Sequence, residues 1–297
     1  MISGFLITYL LLREFGATGS ISLRRFYLRR FFRIFPPFYV FLFVLGMLAF
    51  AGAISLDIHT YICATAYTYN YCRTASGWLL GHCWSLSLEE QFYLVWPPCL
   101  VLLGRKKSIY LAIAIIALSP VSRGVSYFLA PSFRGSEGMM LHTRLDTIMF
   151  GCLLALLYEH SAFNRLADRF LHPGFIMMSA FLFLFISPFL EARFQARYAW
   201  TIGYTLRACL VSVVLVYAMQ NVVSPLGRIL NSRLMRHIGV ISYSLYLWQQ
   251  MFTGPYSFWF PVNLLVALAC AEVSFFLVER PALRLRDRIE KGFAHAR

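Results

Sequence analysis

Eight stretches of this chain are each apolar over a length that crosses a lipid bilayer, at about residues 37–56, 78–103, 109–130, 142–160, 173–190, 200–220, 238–253 and 260–279. A hydrocarbon core of about 30 Å takes roughly 20 helical residues per crossing. In lipid the backbone must satisfy its own hydrogen bonds, which leaves helices or closed barrels. The alternating segments of about ten residues that mark a barrel are absent. The expected fold is therefore all-α, a polytopic transmembrane helical bundle with eight full spans plus a partial N-terminal one. Composition agrees, at 59% hydrophobic against 13% charged, where a soluble domain carries about 25% charged residues. No internal repeat or long linker divides the chain, so residues 1–297 read as a single integral-membrane domain with no separate soluble one.

The partial span is residues 1–12, apolar but covering only about 18 Å of helix. It has neither the basic flank nor the small-residue cleavage site of a signal peptide. It reads as the second half of a span whose beginning lies outside the chain, with a short re-entrant or interfacial start as the alternative.

The net charge of +14 would suggest a nucleic-acid partner in a soluble protein. Placement argues otherwise. Of the 27 Lys and Arg residues, 20 fall in one alternate set of gaps and in the C-terminal tail. Four, Arg73, Arg134, Arg193 and Arg197, fall in the other set, and Arg123, Arg144 and Arg207 lie within spans. Cytoplasmic loops retain Lys and Arg, so the basic gaps and the C-terminus are expected on the cytoplasmic side, and no nucleic acid is expected as a partner.

A charge at mid-bilayer costs about 2.5–3.5 kcal/mol on insertion scales, so each one needs a reason. The densest polar stretch, His82 to Tyr93, lies at the outer end of the second full span. At helical spacing His82, Ser85 and Glu89 share a stripe, with Glu90 about 100° round from Glu89. A histidine and a carboxylate on one face suit general acid–base chemistry; a carboxylate paired with an Arg of another span would merely lock the bundle. Arg144 and Asp146, at the outer end of the fourth full span, stand two apart on different faces and so serve different partners. One polar pocket holding Glu89, Glu90, Arg144 and Asp146 is compatible with this placement. Arg123, Arg207 and Glu272 read as structural pairing or snorkelling rather than chemistry.

The basic loop from Ser22 to Pro36 reads as an amphipathic helix, capped by Ser22 and ended by Pro36-Pro37 ahead of the next span. Arg25, Arg29 and Arg33 recur every four residues, with Arg30 beside that row. The row serves either as an anchor on anionic lipid or as a cradle for a phosphate-bearing ligand, since guanidinium forks match phosphate oxygens. Ser242, Tyr246 and Gln249 or Gln250 form a polar stripe that more often glues helices than binds substrate. The seven cysteines show no metal-ligand spacing and no metal is expected; nothing in the spacing of Cys63 and Cys72 demands a disulfide. P-loop, nucleophile-elbow, zinc-protease and dinucleotide fingerprints are absent.

Several of these stretches together resemble the acyltransferase-3 family of bacterial inner-membrane acyltransferases. They are Ser3-Gly4-Phe5-Leu6-Ile7, Arg24-Arg25-Phe26-Tyr27 through Arg33-Ile34-Phe35-Pro36, and Trp84-Ser85-Leu86-Ser87-Leu88-Glu89-Glu90-Gln91-Phe92-Tyr93 through Trp96-Pro97. Arg144-Leu145-Asp146, Ile241-Ser242-Tyr243-Ser244-Leu245-Tyr246-Leu247-Trp248 and Glu279-Arg280-Pro281 follow in the family's order. The resemblance implies a ten-span bundle that moves an acyl group, often acetyl, from cytosolic acyl-CoA to a hydroxyl of an envelope saccharide or lipid-linked sugar. It implies a bacterial inner-membrane location, acyl-CoA as a donor substrate rather than a bound cofactor, and membrane lipid as surroundings. Arg25, Arg29, Arg30 and Arg33 would hold the CoA phosphates, Glu89 or Glu90 would orient or charge-balance a basic His, and Arg144 and Asp146 would shape the acceptor pocket. That His lies on the family's first span, about ten residues after an Arg, and this chain starts beyond it; a misplaced start or an inactive truncated product is the expectation. His82 does not match that position and stays a candidate only on its own stripe. Some members carry a further extracytoplasmic C-terminal domain, which is not expected here. Two other classes stay open: an inactive remnant, and a transporter or flippase for lipid-linked sugars, although no paired broken hydrophobic segments support the latter.

Overall fold

A computed structural model describes residues 1–72, 77–129, 137–254, 257 and 259–295. Arg73, Arg134 and Arg297 of the charge count lie outside the described residues. Among the described residues all regular structure is helical. The main helices are α1 (Ile2–Thr18), α2 (Leu23–Phe50), α3 (Ile58–Thr65), α4 (Cys83–Leu129), α5 (Leu141–Leu157) and α6 (Ser161–Phe170). They continue with α7 (Pro173–Phe194), α8 (Ala199–Gln220), α9 (Arg233–Trp248) and α10 (Val262–Gly292). Large apolar side chains face outward along them, Leu102 at 83% and Phe128 at 73% exposure. Exposure on that scale suits lipid and not water.

Among the described residues five helical stretches are long and apolar enough to cross a membrane, or six if α5 and α6, bent by 110°, form one broken span. The difference from the expected eight has local causes. The stretch 78–129 counts once, yet α4 spans 47 residues, about 70 Å if straight and more than two bilayer cores. Gly104 interrupts it with φ 68° and ψ 173°, just ahead of Arg105-Lys106-Lys107. At 16 residues α9 is about a turn short of a full crossing, and α5 has 17.

The chain divides into two compact units, one of residues 1–21 and 88–231, the other of residues 22–87 and 232–297. In the first, α1 lies along α5. Gly4, Ile7, Thr8 and Leu11 are the buried residues of α1, one face at helical spacing. The approach is close because two glycines permit it. A Cβ on Gly151 would stand 2.0 Å from the Met1 carbonyl oxygen, and one on Gly4 would stand 2.3 Å from that of Ile148. Small residues let membrane helices approach to backbone contact. Gly151→Ala is therefore expected to destabilise the protein by about 1–3 kcal/mol, the usual cost of overpacking. Retention of the monodisperse species after graded heating in detergent checks this; an unchanged profile would show that α1 does not pack here.

In the second unit Ser22 caps α2 by accepting from the Arg25 amide at 3.4 Å. The helix does not end at Pro36-Pro37, as expected, but runs through both prolines to Phe50. Proline removes an intrahelical donor, and other helices can satisfy backbone groups near such a site. The carbonyls that lose their donors are those of Phe32 and Arg33, four residues before each proline; the Tyr243 hydroxyl donates beside them, to the Ile34 carbonyl at 2.9 Å. Cys63 and Cys72 form a disulfide with Cα atoms 6.1 Å apart. His59 Nδ1 lies 3.3 Å from Cys72 Sγ, a trio able to hold a metal only with the disulfide open.

Candidate functional site

In the first unit Glu89 is held from two directions. Ser3 Oγ on α1 donates to Oε1 at 2.6 Å, and the Tyr93 hydroxyl, one turn along α4, donates to Oε2 at 2.9 Å. Below it the Trp96 indole donates to Thr8 Oγ1 at 2.8 Å. The Ser3 and Trp96 bonds join α1 to α4, so the helix packed on Gly151 also positions the carboxylate. Charge-assisted bonds of this kind are short and strong. Glu90 is half-buried beside it.

Asp146 is fully buried and spent on Arg123, also fully buried, at 2.9 Å. The Arg123 guanidinium also donates to the Thr143 and Trp200 carbonyls at 2.8 Å each and to Thr205 Oγ1 at 2.6 Å. Thr205 in turn donates to Asp146 Oδ2 at 2.6 Å. This network clamps α4, α5 and α8 together. Arg123 fits the structural pairing its position suggested; the identity of its partner is added by the fold.

Arg144 faces another way, as its two-residue offset from Asp146 requires. Its guanidinium lies 4.1 Å from the Tyr204 ring centroid, and that of Arg207 lies 4.9 Å from the same ring. Arg207 Nη1 pairs with Glu191 at 2.8 Å. Arg144, Thr147, Tyr204 and Arg207 line a cavity of about 250 Å³, with Met1 also in its wall. Glu89, Glu90 and Asp146 are not in its wall. The four residues expected in one pocket thus share a unit but occupy three settings, although Met1 interacts electrostatically with both Glu89 and Arg144.

In the second unit His82 precedes the first helical residue of α4, so it does not extend the helical stripe read from its spacing. It is buried, with its ring packed edge-on against Phe41 and Tyr246. Its carbonyl accepts from the Tyr246 hydroxyl, which lies 2.6 Å from Ser85 Oγ. Its ring nitrogens have no hydrogen-bond partner of good geometry among the described residues. Ser85 and Tyr246 therefore hold helix ends together around an aromatic packing residue.

Arg25, Arg29, Arg30 and Arg33 lie on the first turns of α2. Arg33 Nη1 is 3.4 Å from Glu279, and Arg29 Nη1 is 3.6 Å from Glu290. Glu279 is fully buried at a π turn of α10, Phe275–Glu279, and accepts from Ser244 Oγ at 2.9 Å. Arg30 lies 5.8 Å from the Phe26 ring centroid. Three stretches quoted for the family resemblance, those of Arg33, Ser244 and Glu279, thus meet at one carboxylate. Ser3 stood in a stretch that carries the family resemblance but with no role assigned, and Tyr204 was not singled out. Tyr93 was findable, standing four residues after Glu89.

A family model described as an acyltransferase domain, the acyltransferase-3 type, matches residues 1–278. A Staphylococcus aureus (strain COL) protein assigned as an O-acetyltransferase is 28% identical over 312 residues, 95% of this chain and 51% of its own length. The peptidoglycan O-acetyltransferase of Listeria monocytogenes (strain EGD-e) is 26% identical over 282 residues, 84% of this chain and 43% of its own length. The chain spans about half the length of the curated relatives it matches. No solved structure matches it.

Proposed function

The chain belongs to the acyltransferase-3 family, and from that membership we propose that it transfers an acyl group, acetyl in the first instance, from acyl-CoA to a hydroxyl of a cell-envelope saccharide. The acceptor oxygen forms the ester bond as the thioester C–S bond breaks, and the hydroxyl proton ends on the CoA thiol. The observation that carries the reading beyond family membership is the Glu89 carboxylate, fixed by Ser3 and Tyr93 within an apolar bundle. A carboxylate kept at such a cost in lipid is a functional group by default. Glu89 orients or charge-balances the base that takes the hydroxyl proton, and Arg144 contributes to the acceptor pocket. Arg25, Arg29, Arg30 and Arg33 hold the CoA phosphates, with Arg29 and Arg33 exchanging carboxylate partners for phosphate.

The same proposal places eight spans in the bacterial inner membrane with the C-terminus in the cytoplasm. The lopsided distribution of Lys and Arg supports that orientation. It puts the basic turns of α2 on the donor side and the outer span ends, with Glu89 and Arg144, on the acceptor side. Ester content of the envelope saccharides is the test. Cells lacking the chain are expected to lose a base-labile acetyl ester that returns with the wild-type chain. Unchanged ester content in every envelope fraction would contradict the reading.

A further inference from the structure

The Arg123, Asp146 and Thr205 network ties α5 to α8 toward one end of α5. Toward the other end the two helices border a second cavity, of about 360 Å³. Phe150, Leu153 and Leu157 of α5 line it, with Val213 and Val216 of α8 and Phe163 of α6. Among the described residues no charged side chain is in its wall, and its one hydroxyl, that of Ser212, is donated to the Ala208 carbonyl at 2.8 Å. Sites for polar molecules carry a few polar groups that fix the ligand's orientation. This wall offers a sugar or a nucleotide nothing to bond to, and suits an aliphatic chain.

The helix α6 turns from α5 by 110°, and so runs across the direction of the span. Phe163, Leu166 and Ala167 give its apolar face to the cavity. Arg165 and Arg169, one turn apart, lie on the opposite face and are exposed. Asp168 is the one carboxylate on that helix, which leaves its polar face with a net single positive charge. A helix of this kind lies in the membrane interface, apolar face toward the acyl chains and basic face toward anionic headgroups. We propose that the cavity and the basic face of α6 together form a site for one anionic phospholipid. One acyl chain fills the space between α5 and α8, and the phosphodiester, with its single negative charge, sits at Arg165 and Arg169. Guanidinium forks match phosphate oxygens. The lipid thus completes the packing of α5 and α8 at the end that the buried ion pair does not reach.

The experiment is native mass spectrometry of the delipidated full chain, incubated in detergent with dioleoyl phosphatidylglycerol or dioleoyl phosphatidylcholine. Phosphatidylglycerol is expected to stay bound as one added lipid mass, about fivefold or more above phosphatidylcholine. Arg165→Gln/Arg169→Gln should bring phosphatidylglycerol down to the phosphatidylcholine level. Val213→Trp fills the cavity and should remove both lipids, while Arg288→Gln on α10 should change nothing. The double variant alters only an exposed face, so it decides the proposal even where Val213→Trp loses its fold. Equal retention of both lipids by the wild type would overturn the proposal, as would undiminished binding in the double variant or in a monodisperse Val213→Trp protein. So would a lipid-free dimer that Val213→Trp dissociates, which would assign the cavity to a second copy of the chain.

Discussion

Replacing Glu89 with Gln lowers acyl transfer by about 100-fold or more while leaving the protein folded, the scale on which general acid–base catalysis contributes and is lost when the base is no longer oriented or charge-balanced. The substitution keeps shape and removes charge. One amide oxygen still accepts from Ser3 or Tyr93, but the amide nitrogen then faces the other donor, a mismatch costing about 1 kcal/mol in stability. That is small beside the expected loss of rate. Tyr93→Phe removes one bond and leaves the carboxylate in place, so it should cost less than about tenfold, as expected for one neutral donor. Initial rates at matched amounts of monodisperse protein separate the two. A Glu89→Gln protein with wild-type rate would remove Glu89 from the chemistry and leave the seam of α1 and α4 as its whole role.

Arg123→Met produces the largest loss of stability, about 3–5 kcal/mol, because it strands a buried carboxylate. Asp146 would keep the Thr205 hydroxyl and the amide and more distant hydroxyl of Thr147, all neutral donors, while the Thr143 and Trp200 carbonyls lose their donor. The double variant Arg123→Met/Asp146→Leu should recover much of the loss, since apolar replacement of a complete buried pair is often close to neutral. The non-additivity is the diagnostic. Thermal inactivation of the single and double variants in detergent reads it. Equal losses in both would mean that the arginine acts through its carbonyl contacts and not through the ion pair.

The helices were legible in the sequence because lipid imposes one rule over a long stretch, and apolar runs obey it visibly. The gap read between the spans 78–103 and 109–130 falls where Gly104 interrupts α4. Span ends were less legible. Pro36-Pro37 ends a helix by local rules, yet α2 runs through both to Phe50. The site shows the same division. Glu89 and Arg144 stood out as charges with a cost, and Tyr93 was reachable by helical spacing. Ser3, Tyr204 and the pairing of Arg123 with Asp146 depend on which helices pack together, and no local pattern encodes that. His82 shows the opposite failure: ideal helical spacing was extended one residue past the point where the helix begins.

The central claim is that this chain carries an acyl group from a CoA thioester to a saccharide hydroxyl. Proteoliposomes containing the purified full chain and loaded with labelled acetyl-CoA, with envelope glycans added outside, test it most directly. Time-dependent appearance of base-labile label on the external glycan, absent with Glu89→Gln, is the predicted result. Label that stays inside, or glycan labelled equally by wild type and Glu89→Gln, would contradict the account.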